Sequence, residues 1–202
     1  MNKIVITGGC GFIGSHVVEF LFKKYKNAEF VIVDIISYAA NIKFLKRISK
    51  SKRVKIVVGD INNQKLLIKI TKDSDLLINL AAESHVDRSF YSIKKFIYTN
   101  VQGTRSVMEA CRINEVKKII HVSTDEVYGE IYSGKFREND RLNPTNPYAS
   151  TKAAAEMIVN GYKKSFKQDI IIVRSNNIFG TRQYPEKIIA ACCYNILKKK
   201  KF

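Results

Sequence analysis

Short runs of apolar residues alternate along this sequence with longer stretches in which apolar residues recur every three or four positions. The short runs are rich in valine and isoleucine and are apolar at nearly every position, as in Phe30 to Val33. Strands of this kind are buried on both faces, which is typical of parallel sheets. Strand and helix patterns that alternate in this way predict an α/β fold with a doubly wound parallel sheet.

Six strands and six helices follow from these patterns. The predicted strands lie near residues 3–7, 30–34, 54–58, 75–80, 117–122 and 169–174. The predicted helices lie near residues 12–25, 39–49, 62–72, 90–113, 148–166 and 185–198, the fourth of them either continuous or in two pieces. The connection from about 129 to 147 is the longest, and long loops are often functional.

A glycine-rich loop joins the first strand to the first helix. It satisfies G-x-G-x-x-G through Gly9, Gly11 and Gly14, and a wider spacing through Gly8, Gly11 and Gly14. Such a loop lets a pyrophosphate approach the backbone, while the helix N-terminus supplies free N–H donors. Asp34 ends the second strand, where its carboxylate can bind an adenosine ribose. No arginine directly follows Asp34, so the sequence favours NAD over NADP.

Tyr148 and Lys152 are four positions apart, which places them on one face of the helix predicted from 148. A nearby ammonium and a cationic nicotinamide would favour the phenolate and lower the pKa of Tyr148. Tyr148 could then act as a base on a sugar hydroxyl that Thr124 holds. The Y-x-x-x-K pattern is common in helices and is weak evidence for a catalytic tyrosine by itself. It becomes stronger evidence here because it follows the fifth strand of a predicted dinucleotide-binding fold.

Two adjacent carboxylates, Asp125 and Glu126, follow the fifth strand. In a regular strand they would face opposite ways, so they can serve one site only if the backbone leaves strand geometry there. One could then act as the acid for a leaving hydroxyl and the other as the base for a carbon-bound proton. The alternative is a helix start or a solvated turn.

Other polar positions allow two interpretations. Asp60 follows the third strand and either caps the next helix or reaches an adenine, and the preference of Asp for N-caps favours the cap. The segment Leu80-Ala81-Ala82 is small and apolar, which suits a backbone passing under a cofactor. His85 and His121 are interpreted as hydrogen-bonded structural histidines, and neither has a second ligand at metal spacing, so no metal site is predicted.

Composition changes this picture little. The chain has 202 residues, 46% of them hydrophobic, and a formal net charge of +17. The charge could attract nucleic acid, but the lysines are mostly scattered, so we interpret it as surface composition; the dense run is Lys198 to Lys201. Four cysteines without a C-x-x-C pair suit a reducing cytosol. No apolar segment is long enough to span a bilayer.

These motifs together resemble the extended short-chain dehydrogenases/reductases, and within them the dTDP-glucose 4,6-dehydratases and their UDP-glucose relatives. The resemblance rests on residues 7–15, 34–39, 59–61, 81–89, 123–129, 144–156, 174–177 and 182–187. The Thr124-Asp125-Glu126 set is its most specific part, because epimerases of the same superfamily usually lack the carboxylate pair.

The resemblance implies a Rossmann-like NAD-binding fold and a reaction on a bound NAD that is never released. Tyr148 takes the proton from the sugar 4-hydroxyl while hydride leaves C4 for NAD. Glu126 then removes the C5 proton and Asp125 protonates the departing 6-hydroxyl. Return of hydride to C6 gives a 4-keto-6-deoxy sugar nucleotide.

The family's contacts can be carried over by position, and for Asp60 this replaces the capping interpretation. The cofactor contacts are Gly8, Gly11, Phe12, Ile13, Gly14, Asp34, Ile35, Ser37, Asp60, Ile61, Leu80, Ala81, Ala82, Ser84, Thr99, Tyr148, Lys152 and Asn177. The substrate contacts are Ser84, Thr124, Asn176 and Lys187. Relatives usually dimerise through helices near 90–113 and 148–166, so a homodimer is expected.

Several features qualify the resemblance. Thr181 and Ala190 stand where the family usually has proline. Family members continue well past the length of this chain, so residues 1–202 are expected to form an NAD-binding domain in which 176–202 only begin the substrate-binding region. A fragment, a short isoform and an incomplete gene model all fit this expectation. The alternative functions are a nucleotide-sugar 4-epimerase and a non-catalytic NAD-binding fragment.

Overall fold

The computed structural model describes residues 1–199, which form one parallel sheet with helices on both faces. The strands are β1 (Lys3–Thr7), β2 (Glu29–Asp34), β3 (Val54–Val58), β4 (Leu76–Asn79), β5 (Lys118–Thr124) and β6 (Ile170–Ser175). They lie in the order β3-β2-β1-β4-β5-β6, and every neighbouring pair is parallel. This is the Rossmann strand order, so the predicted doubly wound fold is confirmed.

The helices follow the strands as predicted, with shifted bounds. They are α1 (Phe12–Lys24), α2 (Gln64–Thr71), α3 (Val86–Tyr91), α4 (Ile93–Phe96), α5 (Thr104–Ile113), α6 (Pro147–Phe166) and α7 (Ile188–Leu197). A 3₁₀-helix covers Ile42–Leu45, another covers Asp125–Tyr128, and a π-helix covers Ile97–Gly103. The end of the predicted basic run, Lys200 and Lys201, lies outside the described residues.

The helix predicted over 39–49 is wrong, because only the short 3₁₀-helix Ile42–Leu45 forms there. The Asn41 backbone N–H donates to the carbonyl oxygen of Cys10 (2.9 Å), which ties this segment to the glycine-rich loop. The Asn41 side chain accepts a hydrogen bond from the N–H of Lys43 (2.9 Å) and starts the turn at that point. The chain is therefore held in a turn through residue 41.

The helix predicted over 90–113 is interrupted more often than expected. Ser92 has an extended φ of −147°, which separates α3 from α4. The π-helix then directs buried Asn100 inward, where it binds both backbone groups of Glu83 (2.9 and 3.0 Å) and the Thr151 hydroxyl (3.0 Å). Single π turns are common at functional sites, and this one joins the chain after β4 to α6.

The core has two layers because successive strand residues point to opposite faces of the sheet. On one face, Val5 and Leu77 pack with residues of α2, α5 and α6. On the other face, Ile4 and Ile6 pack with Val18 of α1 and with the chain after β2. The carboxyl ends of the strands therefore meet at one edge, where β1 and β4 lead in opposite directions and leave a crevice. No helix of residues 1–199 is long and apolar enough to cross a membrane.

Candidate active site

A cleft of about 380 Å³ lies at the carboxyl ends of the strands. The residues that line it include all but one of the predicted site residues: Gly8, Gly11, Phe12, Ile13, Gly14, Asp34, Ile35, Ser37, Asp60, Ile61, Leu80, Ala81, Ala82, Ser84, Thr99, Thr124, Glu126, Tyr148, Lys152, Asn176, Asn177 and Lys187. Asp125 is the exception. The fold thus brings these positions together, while the role of each remains a prediction.

The glycine-rich loop packs so closely that a side chain would collide with backbone atoms at two of its positions. Gly8 has a φ of +68°, and a Cβ there would lie 2.7 Å from the backbone nitrogen of Ala81. A Cβ on Gly14 would collide with the carbonyl oxygen of Gly8. The N-terminus of α1 follows with Gly11 as its N-cap and no side-chain capping bond, which leaves its first N–H groups facing the cleft. This is the arrangement that receives a pyrophosphate.

Asp34 is held by the backbone on both sides of its carboxylate. Its Oδ2 accepts from the N–H of Cys10 (3.0 Å) and its Oδ1 from the N–H of Ile36 (2.8 Å). Burial raises the pKa of Asp34, and the two backbone hydrogen bonds oppose that rise. Ile36 itself has a φ of +53°, which is strained for a β-branched residue, and its N–H is one of the two donors to this carboxylate.

The structure rules out one of the two interpretations of Asp60. Its Oδ1 accepts from the backbone N–H of Asn62 (2.8 Å) and from the Asn62 side chain (3.1 Å). The N-cap of α2 is Asn63, whose side chain accepts from the N–H of Leu66 (3.0 Å). The capping interpretation of Asp60 is therefore wrong, and Asp60 instead lines the cleft.

The backbone leaves strand geometry after Thr124. This change is needed if the carboxylates of Asp125 and Glu126 are to serve one site. The Thr124 hydroxyl accepts from the N–H of Glu126 (3.3 Å) and donates to Oδ1 of Asp125 (3.2 Å), which starts the 3₁₀-helix. Glu126 lines the cleft and Asp125 does not. With three residues per turn, neighbouring side chains in a 3₁₀-helix point in directions about 120° apart. Asp125 contacts the Thr124 hydroxyl, and its carboxylate is near enough to add to the raised pKa of Tyr148.

Tyr148 and Lys152 are both buried in the first turns of α6. The Lys152 ammonium donates to the carbonyl oxygen of Val122 (2.7 Å), and burial lowers the pKa of Lys152 to about 8. Burial and the nearby Glu126 carboxylate raise the pKa of Tyr148, and a hydrogen bond with Thr124 opposes them. The protein's own groups therefore raise this pKa, because burial and Glu126 outweigh the contact with Thr124. The predicted lowering also involves a cationic nicotinamide and stays a prediction.

A cluster that the sequence did not reveal joins three segments around the cleft. This rim cluster comprises Tyr38, His85, Arg88, Tyr184 and Glu186. The Tyr38 hydroxyl donates to Oε1 of Glu186 (3.1 Å), and the Arg88 guanidinium lies 3.8 Å from the centre of the Tyr38 ring. The rings of Tyr38 and Tyr184 meet edge to face at 5.1 Å. The segment after β2 thus contacts the segment before α7 across the cleft.

Both histidines singled out in the sequence are hydrogen-bonded. Asn79 bridges Thr7 and His121 in a buried row across β1, β4 and β5, with contacts of 2.6 and 3.1 Å. Burial, and secondly Lys152, hold the pKa of His121 well below its ordinary value, so this ring is neutral. His85 accepts from the N–H of Arg88 (3.4 Å) and contacts the carbonyl oxygen of Glu186 (3.2 Å). Residues 1–199 contain no group of three or more side chains suited to hold a metal ion.

The connection after β5 is anchored by a buried ion pair. Arg174 of β6 binds both carboxylate oxygens of Glu156 on α6, at 2.6 to 3.1 Å, and Glu156 is fully buried. The same guanidinium donates to the Tyr128 hydroxyl (2.6 Å) and to the carbonyl oxygen of Glu138 (2.9 Å). These contacts hold the 3₁₀-helix with Glu126 against α6 and β6.

The basic excess of the sequence is not found in the cleft. The charged residues that line it are Asp34, Asp60, Glu83, Glu126 and Glu186, with Lys95, Lys152 and Lys187. Acidic groups thus outnumber basic ones there, and Lys95 is paired with Glu83 at 2.8 Å. The positive charge of +17 therefore belongs to other surfaces.

Comparison with known proteins identifies the family to which this chain belongs. The family model described as GDP-mannose 4,6 dehydratase matches residues 5–202. The chain belongs to this family. It is 44% identical to the dTDP-D-glucose 4,6-dehydratase of Dictyostelium discoideum, a match that covers 100% of this chain and 49% of that protein. It is 42% identical to the human dTDP-D-glucose 4,6-dehydratase, covering 93% of this chain and 54% of that protein. The resemblance inferred from the motifs is confirmed.

Solved structures agree with this family. A dTDP-glucose 4,6-dehydratase from Streptomyces venezuelae with NAD bound superposes with a TM-score of 0.93 at 38% identity, over 98% of this chain and 62% of that one. A UDP-glucuronic acid 4-epimerase from Bacillus cereus, also in complex with NAD, gives a TM-score of 0.92 at 30% identity, over 98% and 64%. The chain spans about half the length of the curated relatives it matches.

Proposed function

We propose that this chain is the cofactor-binding and catalytic part of an NAD-dependent nucleotide-sugar 4,6-dehydratase that acts on dTDP-glucose or UDP-glucose. The observation that supports this best is the placement of the Glu126 carboxylate in the same cleft as Tyr148, where it acts electrostatically on that phenol. Oxidation and reduction at C4 alone need only the tyrosine, whereas elimination also needs a base for a carbon-bound proton. The names of the dehydratase relatives support the same reaction.

The residues present fit NAD. The close-packed glycine loop and the uncapped start of α1 suit the pyrophosphate, and the backbone-held carboxylate of Asp34 suits the adenosine ribose. By the family resemblance, Tyr148 and Lys152 hold the nicotinamide ribose. The chemistry that NAD supplies in this site is acceptance of a hydride from C4 of the sugar and its return at C6.

In the first stage Tyr148 takes the proton of the sugar 4-hydroxyl. Thr124 lies at the end of β5 within hydrogen-bonding reach of the phenol, so its hydroxyl can hold the same substrate oxygen. The protein alone raises the pKa of Tyr148. Cationic charge brought by the cofactor is therefore needed to make the phenol a base near neutral pH.

In the second stage Glu126 removes the C5 proton and Asp125 gives a proton to the 6-hydroxyl, which leaves as water. When hydride returns to C6, Glu126 gives its proton back to C5, so over one cycle Tyr148 gains a proton and Asp125 loses one. That proton must pass from Tyr148 to Asp125 before the next turnover. The Thr124 hydroxyl donates to Oδ1 of Asp125 (3.2 Å) and also lies within hydrogen-bonding reach of the Tyr148 phenol, so it lies between the two groups that exchange this proton. Asn176, Ser84 and Lys187 hold the sugar nucleotide in this proposal.

We place the protein in the cytosol as a homodimer. Cys10, Cys111, Cys192 and Cys193 are free thiols, as in a reducing compartment. Large apolar side chains are exposed on the helices that relatives use for dimerisation, among them Phe90, Ile97 and Met157. Such exposure favours a partner surface there. Analytical ultracentrifugation of the wild type and of Met157→Asp tests this, because a dimer should weaken in the variant.

The second candidate is a nucleotide-sugar 4-epimerase, favoured by the close superposition on the Bacillus cereus 4-epimerase. In that reaction Tyr148 would again take the proton of the sugar 4-hydroxyl, and Asp125 and Glu126 would have no catalytic role. A non-catalytic NAD-binding piece is the third candidate, because the chain spans about half of its curated relatives.

Product analysis separates these candidates. The full-length gene product, loaded with NAD, is incubated with dTDP-glucose and with UDP-glucose. The proposed function predicts a 4-keto product that absorbs after alkali treatment, and Asp125→Asn and Glu126→Gln should abolish it while partial reduction of NAD persists. A C4-inverted sugar that forms equally well in both variants identifies an epimerase. In calorimetry of residues 1–202, binding of NAD without binding of either nucleotide sugar identifies a non-catalytic piece.

A further inference from the structure

Asn146 uses both ends of its side-chain amide, and each end contacts a different part of the site. Its Oδ1 accepts from the backbone N–H of Ala149 (2.8 Å), which makes it the N-cap of α6. Its Nδ2 donates to Oε2 of Glu126 (3.0 Å). Tyr148 lies two residues after Asn146 on the same helix, so one side chain joins the start of this helix to the carboxylate.

We propose that Asn146 is the positioning residue for Glu126, which fixes the base for elimination relative to the base for oxidation. This rests on the proposed function. The two bases act on adjacent carbons of one sugar, C4 and C5, so their separation must stay constant through the reaction. Positioning of this kind contributes to rate without any chemistry by the positioning group itself.

The bond pattern fixes the orientation of the amide. The helix N–H groups need an acceptor, so Oδ1 faces α6 and the NH₂ group faces the carboxylate. A flipped amide would place two oxygens against each other and two donors against each other. Serine can cap a helix but has no second group to reach Glu126, and aspartate can cap but would repel Glu126. Among the common N-cap residues, asparagine alone does both.

The chain is also fastened next to each of the two partners, so the contact is not an accident of a loose loop. The Asn143 N–H donates to the carbonyl oxygen of Val127 (3.0 Å), directly beside the 3₁₀-helix. Gly129 turns the chain with a φ of +89°, and a Cβ there would strike the Asn143 carbonyl oxygen. The N–H of Tyr148 is held by the Ser89 hydroxyl (3.1 Å). The hydrogen bond from Asn146 to Glu126 then joins these two fastened segments directly.

The first test compares Asn146→Ser and Asn146→Asp in the full-length gene product loaded with NAD and given dTDP-glucose. Both variants keep the helix cap. We expect C4 oxidation, followed as reduced cofactor in a single turnover, to stay within about twofold of the wild type for Asn146→Ser, and exchange of the C5 proton with solvent deuterium to fall about tenfold, with a larger fall for Asn146→Asp. Equal slowing of both steps, or no slowing of either, would overturn the proposal.

A second test does not depend on activity. Asn146→Ser is combined with Glu126→Ala in a double-mutant cycle, with the urea unfolding midpoint as the readout. We expect the midpoint shift caused by Asn146→Ser to disappear in the Glu126→Ala background, because the partner is already gone. Additive shifts would show that the two side chains do not interact, and the positioning role would be wrong. Absence of any 4-keto product from the wild type would instead refute the proposed function, whatever the cycle gives.

Discussion

The two sides of the cleft are held in different ways. On the cofactor side, Thr7, Ser15 and Asp34 are buried, and backbone hydrogen bonds fix the loop and the turn around them. On the side that we propose for the substrate, called the substrate side below, the described segment from 176 to 199 contains no buried residue, and α7 buries none of its side chains. The cofactor side is thus set by close backbone packing, while the substrate side depends on a few side-chain contacts.

This difference between the two sides indicates which substitutions will test each of them. On the cofactor side a single added methyl group meets backbone that cannot move. On the substrate side the order rests on ion pairs and rings, such as Arg182 with Glu19 (2.8 Å) and the rim cluster. Variants that remove packing should therefore affect one side, and variants that remove charge should affect the other.

The largest expected effect comes from Arg174→Met, which removes the cation from the anchor between β6 and α6. The fully buried Glu156 carboxylate would then be left without its partner. We expect the free energy of unfolding, measured by urea denaturation, to fall by about 3–5 kcal/mol. The matched control is Lys118→Met, which breaks the exposed pair with Asp169 and should change stability by less than about 1 kcal/mol. Equal effects from the two variants would mean that the anchor is not a special contact.

The next effect tests the cofactor side through Gly14→Ala. The new Cβ would collide with the Gly8 carbonyl oxygen and push the glycine loop out of shape. We expect NAD affinity in calorimetry to fall at least about a hundredfold and stability to fall by about 1–3 kcal/mol. Gly161→Ala is the control, because a Cβ there meets nothing within 4 Å and sits inside α6. That variant should gain about 0.5–1 kcal/mol and bind NAD normally; weak NAD binding by both variants would point to a general loss of structure.

The features that the sequence predicts lie mostly on the cofactor side, and the features that it does not predict are contacts between distant residues. The strands, the glycine loop and Asp34 carry local signals, because continuous apolar runs and glycine spacing reflect geometry within a few residues. The rim cluster and the bond between Asn146 and Glu126 join residues that lie 148 and 20 positions apart in the chain. Only the folded topology brings such pairs together.

The preference of certain residues for the N-cap position also gave a wrong prediction where two such residues precede one helix. Asp60 and Asn63 are both good N-caps, and the one nearer the helix took that role. The start of α6 was predictable in principle from Asn146 followed by Pro147, since an N-cap residue before proline is a strong helix-start signal. The π-helix over Ile97–Gly103 had no comparable signal, because it depends on Asn100 finding the backbone of Glu83.

The smallest expected effect concerns the place where the two sides touch. Tyr38→Phe keeps the ring against Arg88 and Tyr184 but removes the hydroxyl that donates to Glu186. This bond is exposed, so we assign it about 0.5–1.5 kcal/mol, as for a typical hydrogen bond, and expect NAD to dissociate about two- to tenfold faster in stopped-flow measurements. Tyr91→Phe is the control, because Tyr91 is 91% exposed and its hydroxyl should not affect NAD. Unchanged dissociation in Tyr38→Phe would mean that the cofactor side retains NAD without help from the substrate side.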